Sequence, residues 1–196
     1  VYDVLIKGTS IKTAITKTKF SALDILTSTN ELVGAEIELV SIMAREFQLQ
    51  SEIRKIKKLY DVIIIDCPPS LGLLTINAFT SSDSLIIPIQ CEYYALEGLG
   101  QLLNTIRLVQ NHLNKKLEIG GVIMTMYDGR LKLSKQVVKE IQGYFKDKLF
   151  KTLIHRNVRL SEAPSFGKPA LLYDANSTGA KNYMDLTEEI LQRVSR

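Results

Sequence analysis

Residues that cross-link a chain or bind transition metals are scarce here: 196 residues include 2 cysteines and 2 histidines. Cys67 and Cys91 each end an apolar run and belong to no paired framework, so they read as reduced core thiols, and zinc chemistry is not expected. No run reaches the ~18 uninterrupted apolar residues of a membrane-spanning helix, and the first residues lack a basic-then-apolar leader pattern. A soluble cytoplasmic protein is the expectation. With only 5 prolines and 45% hydrophobic residues the chain can bury one good core, so 1–196 is read as one domain.

The formal net charge of +4 is modest but unevenly spread: residues 129–168 hold ten Lys or Arg against three acids. A positive surface there suits a polyanion, although a solvated basic face would look the same in sequence.

The stretch that orients the rest is Asp61-Val62-Ile63-Ile64-Ile65-Asp66-Cys67-Pro68-Pro69-Ser70. Four consecutive β-branched apolar residues suit a central parallel strand covered on both faces, and the paired prolines stop it. Asp66 then stands at a carboxyl end, where open α/β sheets bind ligands and where a Walker B Asp helps hold the Mg²⁺ of a nucleotide. The alternative is an Asp that merely caps the next helix.

Along the chain, short helical turns are expected at 2–6 and after Ser10, then a strand at 20–26. Ile42, Leu49, Ile53, Ile56 and Tyr60 recur at helical spacing, with Arg54, Lys55, Lys57 and Lys58 off that stripe, which predicts a surface helix leading to the 62–65 strand. A helix at 73–79, a buried strand at 84–90 made irregular at its far end by Pro88, and a long helix at 94–114 follow. Next come a strand at 119–126, a helix at 131–146, a strand at 149–154 and a helix at 179–194 with Tyr183, Thr187, Ile190, Leu191 and Val194 inward. Alternating helices and apolar strands imply an α/β fold: a mostly parallel twisted sheet flanked by helices.

Four motifs occur in this order: Asp66-Cys67-Pro68-Pro69-Ser70, Glu92-Tyr93-Tyr94-Ala95-Leu96-Glu97-Gly98, Thr125-Met126-Tyr127-Asp128-Gly129-Arg130, and the run 156–169 beginning Arg156-Asn157-Val158-Arg159. Together they closely resemble the ParA/Soj family of chromosome- and plasmid-partition ATPases, a deviant Walker A P-loop class that includes MinD. One departure stands out. No Gly-x4-Gly-Lys-Ser/Thr occurs in the 196 residues; Lys7-Gly8-Thr9-Ser10 and Phe166-Gly167-Lys168-Pro169 do not satisfy it. The chain thus resembles a family member without its first βαβ unit.

The resemblance implies ATP and Mg²⁺ as cofactors, an ATP-dependent homodimer, non-specific double-stranded DNA and a ParB-type protein as partners, no membrane, and a nucleoid-associated bacterial location. It matches Asp66 to the Mg²⁺-associated Walker B carboxylate, acting through water, and Pro68, Pro69 and Gly72 to the second switch loop. Met126, Tyr127, Ile154, His155, Arg156 and Asn157 match the adenine pocket, with His155 where many relatives have proline. Arg130 and Arg159 match DNA-binding residues. Lys132, Lys135, Lys139 and Lys146 fall on one face of the 131–146 helix, opposite Val137, Val138, Ile141, Tyr144 and Phe145, which supports the same surface from spacing alone. Without the phosphate loop, the chain alone is expected to be inactive. Two alternatives stay open: a non-enzymatic DNA- or partner-binding remnant, and a MinD-like positioning ATPase. The latter is disfavoured because the end of the chain, Val194-Ser195-Arg196, offers no separate amphipathic tail.

Overall fold

The computed structural model describes residues 1–194; of residues 95, 97 and 194 only the backbone is described. The expectation for the Val194 side chain, and the tail residues Ser195 and Arg196, therefore lie outside the described residues. Contacts divide the chain into one unit of Val1–Asp83 with Leu102–Leu117 and another of Ser84–Gln101 with Glu118–Arg196.

The first unit begins with two single-turn helices, α1 (Tyr2–Leu5) and α2 (Ile11–Ala14), and a two-stranded antiparallel ladder, β1 (Thr16–Lys17) with β2 (Asp24–Ile25). The strand expected over 20–26 is thus only two residues long. Helices α3 (Leu32–Glu38), α4 (Gln48–Arg54) and α5 (Leu73–Ser81) follow. The predicted continuous surface helix is broken: 3-10 turns occupy Leu39–Ser41, Arg45–Phe47 and Lys57–Leu59, and Ala44 is left-handed at φ 52°. Its stripe survives the break. Leu49, Ile53 and Ile56 are buried with Val4, Leu5 and Ile11, while Arg54, Lys55, Lys57 and Lys58 are exposed.

Residues 62–68 run without assigned ladder bonds into the Pro68-Pro69 turn. The buried central strand expected here is corrected to an extended segment with one covered face. Ile63 and Ile65 pack on the core, whereas Val62 is 60% and Ile64 88% exposed. An extended chain sends successive side chains to opposite faces, and among the described residues only one face has a neighbour.

Helix α5 is pinned by polar side chains. Asn77, 1% exposed, donates from Nδ2 to the carbonyls of Arg45 (2.8 Å) and Leu73 (2.9 Å) and accepts the Leu49 N–H at Oδ1 (3.0 Å). The Thr80 hydroxyl donates to the Glu46 carbonyl at 2.6 Å. At the other end, Asn114 Nδ2 donates to the carbonyls of Phe79 (3.0 Å) and Ser82 (2.8 Å), capping groups that a helix end leaves unpaired. Helix α6 (Ala95–His112), expected at 94–114, is divided between the two units.

In the second unit β3 (Ser84–Gln90), β4 (Glu118–Tyr127) and β5 (Leu149–His155) form a parallel sheet in the order β3-β4-β5. Helices α7 (Lys132–Phe145), α8 (Val158–Glu162), α9 (Ala170–Tyr173) and α10 (Thr178–Val194) accompany it. β3 is an edge strand among the described residues, with Ile87 and Ile89 inward and Ile86 45% exposed, so it is not buried on both faces. Pro88 keeps regular register opposite Ile123, and the irregularity lies instead between Leu85 and Ile86, opposite Gly120. An edge strand tolerates the missing N–H. At Gly121 a Cβ would stand 2.3 Å from the Phe150 ring, so the close approach of β4 and β5 requires glycine there.

One core cluster of this unit is Ile123, Phe150, Ile154 and Leu186, with Leu160 and Ile190 against it. On α10, Ala180 and Leu186 are buried while Tyr183, Thr187 and Leu191 are exposed, which corrects their predicted inward placement. The helix is rotated from the expected phase because Glu189 and Arg193 face the sheet edge. Glu189 accepts the consecutive amides of Lys151 (2.9 Å) and Thr152 (3.1 Å), and Arg193 lies 4.0 Å over the Phe150 ring.

Candidate functional site

The residues singled out by sequence fall into three groups, of which the Asp66 loop belongs to the first unit and the other two to the second.

Asp66 is exposed at the head of the loop 66–72. Pro68, Pro69 and Ser70 are exposed as well, so ties at its far end hold the loop. The Ser70 N–H donates to the Pro68 carbonyl at 2.8 Å, and the Thr75 hydroxyl donates to the Ser70 carbonyl at 2.6 Å. Gly72 is the N-cap of α5 and has no side chain to offer it. The carboxylate of Glu36, on α3, fills that role: Oε2 accepts the Leu73 N–H at 2.8 Å and Oε1 the Leu74 N–H at 3.2 Å. Glu36 was not foreseen from the sequence, and a glycine at a helix start without Ser, Thr, Asp or Asn was the only hint. Burial and the nearby Asp66 charge raise the Cys67 thiol pKa, and burial pushes Cys91 up to about 11, so both thiols stay protonated at neutral pH.

The second group gathers where β4 and β5 end. Between the pairs Met124↔Leu153 and Tyr127↔His155, β4 holds one residue more than β5. Met126 in that bulge is left-handed at φ 54°. Tyr127 and His155 meet edge to face at 5.3 Å between centroids, and the Arg156 N–H donates to the Tyr127 carbonyl at 3.0 Å. Asn182, which sequence reasoning missed, accepts at Oδ1 from the His155 N–H (3.2 Å) and lies 3.0 Å from its Nδ1. The Arg156 guanidinium donates to Glu92 at 3.0 Å. Asn157 is spent locally, its Oδ1 capping α8 through the Arg159 N–H at 2.9 Å. Ile154 is 3% exposed, its side chain packed in the core cluster beneath this strand end.

The third group is basic. Ser134, Val137, Ile141 and Phe145 form the buried line of α7, and Lys132, Lys135 and Lys139 are exposed. Two expectations are corrected here. Tyr144 is 60% exposed rather than inward, and Lys146 has left the helix, which ends at Phe145 because Lys146 takes φ 48°. Both arginines are already paired. Arg159 Nη1 lies 2.8 Å from Glu162 and its Nε 3.4 Å from Asp174, while Arg130 grips Asp128 with two nitrogens. Hydrogen bonds from the Arg130 side chain and backbone N–H hold the Asp128 carboxyl well below the usual carboxylate range.

Among the described residues no three His, Cys, Asp or Glu side chains converge as a metal cage. Mg²⁺ keeps several waters and is bound by one or two carboxylates together with phosphates, so a cage is not required for it. A lone exposed Asp66 fits such a role. Nor is any described helix long and apolar enough to cross a membrane.

A parallel sheet flanked by helices is the class of fold to which the comparisons also lead, and residues 1–119 match the family model described as an AAA domain. The chain is 57% identical over 190 residues to the sporulation initiation inhibitor protein Soj of Bacillus subtilis (strain 168), covering 97% of this chain and 75% of that relative. It is 49% identical over 193 residues to the chromosome partitioning protein ParA of Myxococcus xanthus (strain DK1622), covering 98% of this chain and 68% of that relative. Among solved structures, cobyrinic acid a,c-diamide synthase from Mycobacterium smegmatis, with bound ADP and magnesium, matches with a TM-score of 0.83 at 31% identity, over 100% of this chain and 72% of that one. The chain belongs to the ParA/Soj family of chromosome-partitioning ATPases.

Proposed function

We propose that the protein is a DNA-partition ATPase that binds Mg·ATP between two copies of itself and, in that form, binds double-stranded DNA without regard to sequence in the bacterial nucleoid. A ParB-type partner stimulates its turnover. The observation that carries the reading is the exposed Asp66 carboxylate at the head of a loop anchored on α5. Asp66 would hold Mg²⁺ through water, and the metal would offset negative charge on the phosphates. Pro68, Pro69 and Gly72 shape the loop that senses the phosphate end. Met126, Tyr127, His155, Arg156 and Asn157 line the base end, with His155 oriented by Asn182. Arg130, Lys132, Lys135, Lys139 and Arg159 meet DNA phosphates.

No Gly-x4-Gly-Lys-Ser/Thr lies in these 196 residues, so the phosphate contacts of a P-loop must come from outside them. That observation favours a second reading for the chain alone: a non-enzymatic DNA- or partner-binding remnant. Calorimetry with Mg·ATP separates the two. The full-length protein should bind and hydrolyse ATP, and the 196-residue chain should do neither. Micromolar ATP affinity in the chain alone would refute this account of which elements bind nucleotide.

A further inference from the structure

The clasp between Glu36 and the start of α5 has more to do than cap a helix. A helix N-terminus leaves its first N–H groups without intrahelical partners, and the ordinary remedy is a Ser, Thr, Asp or Asn at the N-cap. Here the N-cap is Gly72, and the two amides are taken by a carboxylate 37 and 38 positions earlier in the chain. The glycine makes this possible. A Cβ on Gly72 would stand 2.5 Å from Glu36 Oε1 and 2.6 Å from Oε2, occupying the carboxylate's own place. The atoms it would meet are the far end of a flexible side chain, so an added methyl would evict the carboxylate and leave the backbone in place.

Both partners of the clasp are firmly seated. Ala35 on α3 and Leu39 just past its end are fully buried on either side of Glu36 in the chain, and α5 is held through Asn77 and Thr80. Between them the loop that presents Asp66 is exposed and has little packing of its own. We propose that Glu36 is a positioning residue for the Asp66 loop: by gripping the Leu73 and Leu74 amides it fixes where the loop leaves α5, and so where the Asp66 carboxylate stands when nucleotide and metal arrive. A local cap would stabilise the helix equally well but would not tie α3 to the loop. The negative charge also sits at the positive end of the helix dipole, where it is favoured. The role rests on the ATPase reading above, and a misplacement of the order of 1 Å at such a site can lower turnover as much as ~100-fold.

The test uses the full-length protein and four variants: Glu36→Ala, Gly72→Ala, the double variant, and Gly72→Ser, whose hydroxyl can cap α5 locally while its Cβ still evicts Glu36. Amide hydrogen exchange at Leu73 and Leu74 reads the clasp, thermal unfolding reads the helix, and steady-state kinetics with Mg·ATP read the loop. Each single variant should lower kcat by about tenfold or more with KM changed less than about twofold. The double variant should be no worse than the poorer single one, because both changes undo one contact. Gly72→Ser should recover the melting temperature lost in Gly72→Ala yet keep the low kcat. Recovery of kcat by Gly72→Ser, multiplicative losses in the double variant, or full turnover in Glu36→Ala with exchange at Leu73 and Leu74 accelerated would each overturn the positioning role. A wild type that does not turn over Mg·ATP overturns the ATPase reading and this role with it.

Discussion

Arg130 lies side by side with Asp128, its Nε 2.9 Å from Oδ1 and its Nη2 2.6 Å from Oδ2, while its own N–H donates to Oδ1 at 3.0 Å. The Arg130 side chain is 89% exposed, so the pair adds little stability in water. What it does is orient the Arg130 side chain and offset its charge. If Arg130 and Arg159 contact phosphates, log K for duplex DNA should fall with log salt by roughly 0.9 per phosphate neutralised. Arg130→Ala and Arg159→Ala should each weaken all sequences alike and flatten that slope by about one unit. Asp128→Asn should act oppositely, tightening binding at low salt, because the guanidinium keeps its place but loses its internal counter-charge. A salt titration of the full-length protein with a non-hydrolysed ATP analogue reads all three. Identical affinities and slopes would reduce the region to a solvated face.

Asp66 is exposed, so its removal should leave the fold unchanged. In the full-length protein Asp66→Ala is expected to abolish Mg²⁺-dependent ATP hydrolysis while leaving circular dichroism and the melting temperature as they are. An unaltered hydrolysis rate would remove Asp66 from the site.

The elements legible from sequence are those whose periodicity is strong and self-contained. Helices α5, α7 and α10 and strands β3, β4 and β5 start and end within two residues of expectation, because apolar spacing and turn residues bound them. The segment 62–65 departs from expectation for a physical reason. Four apolar residues in a row announce a preference for burial, but which neighbour supplies it is a tertiary fact, and here Ile64 remains 88% exposed. Left-handed Ala44 and Lys146 carry no glycine or asparagine signal, so the breaks they make in helical patterns were invisible. Of the candidate site, the motif residues were visible, but Glu36 and Asn182 act from 37 and 27 positions away on separately folded helices. No spacing rule reaches that far.

Asn77 tests the anchoring of α5. Asn77→Ala would leave the buried Leu49 N–H and the Arg45 carbonyl without the partners they now have at 3.0 Å and 2.8 Å. A loss of about 3 kcal/mol is expected from stranding such groups. In urea unfolding the midpoint should fall with the slope unchanged, and a shift under about 0.5 kcal/mol would mean that water replaces the side chain at little cost.

Glu189 tests the sheet edge. Between the pairs Val122↔Leu149 and Met124↔Leu153, β5 holds two residues more than β4, and the bulge turns two consecutive amides toward α10. Glu189 collects both, adds the Thr152 hydroxyl at 3.0 Å, and is itself held by Arg193 at 3.2 Å. Burial alone would raise its pKa, but the Lys151 and Thr152 amides, the Thr152 hydroxyl and the Arg193 charge outweigh burial and hold the carboxyl below its usual value. The sign for stability follows from linkage. A carboxyl with a folded pKa below its unfolded value of about 4.3 stabilises fully above that pH, and the contribution is lost as pH falls through the lower folded value. Glu189→Ala should therefore cost about 2 kcal/mol at pH 7, the scale of hydrogen bonds to a charged group, and part of the acid sensitivity of the wild type below about pH 4 should vanish with it. Glu189→Gln, which keeps one acceptor oxygen, should fall between the two. Denaturant unfolding at pH 7 and pH 3 checks this: an equal difference between wild type and Glu189→Ala at both values would show that the carboxylate charge is not what holds the bulge.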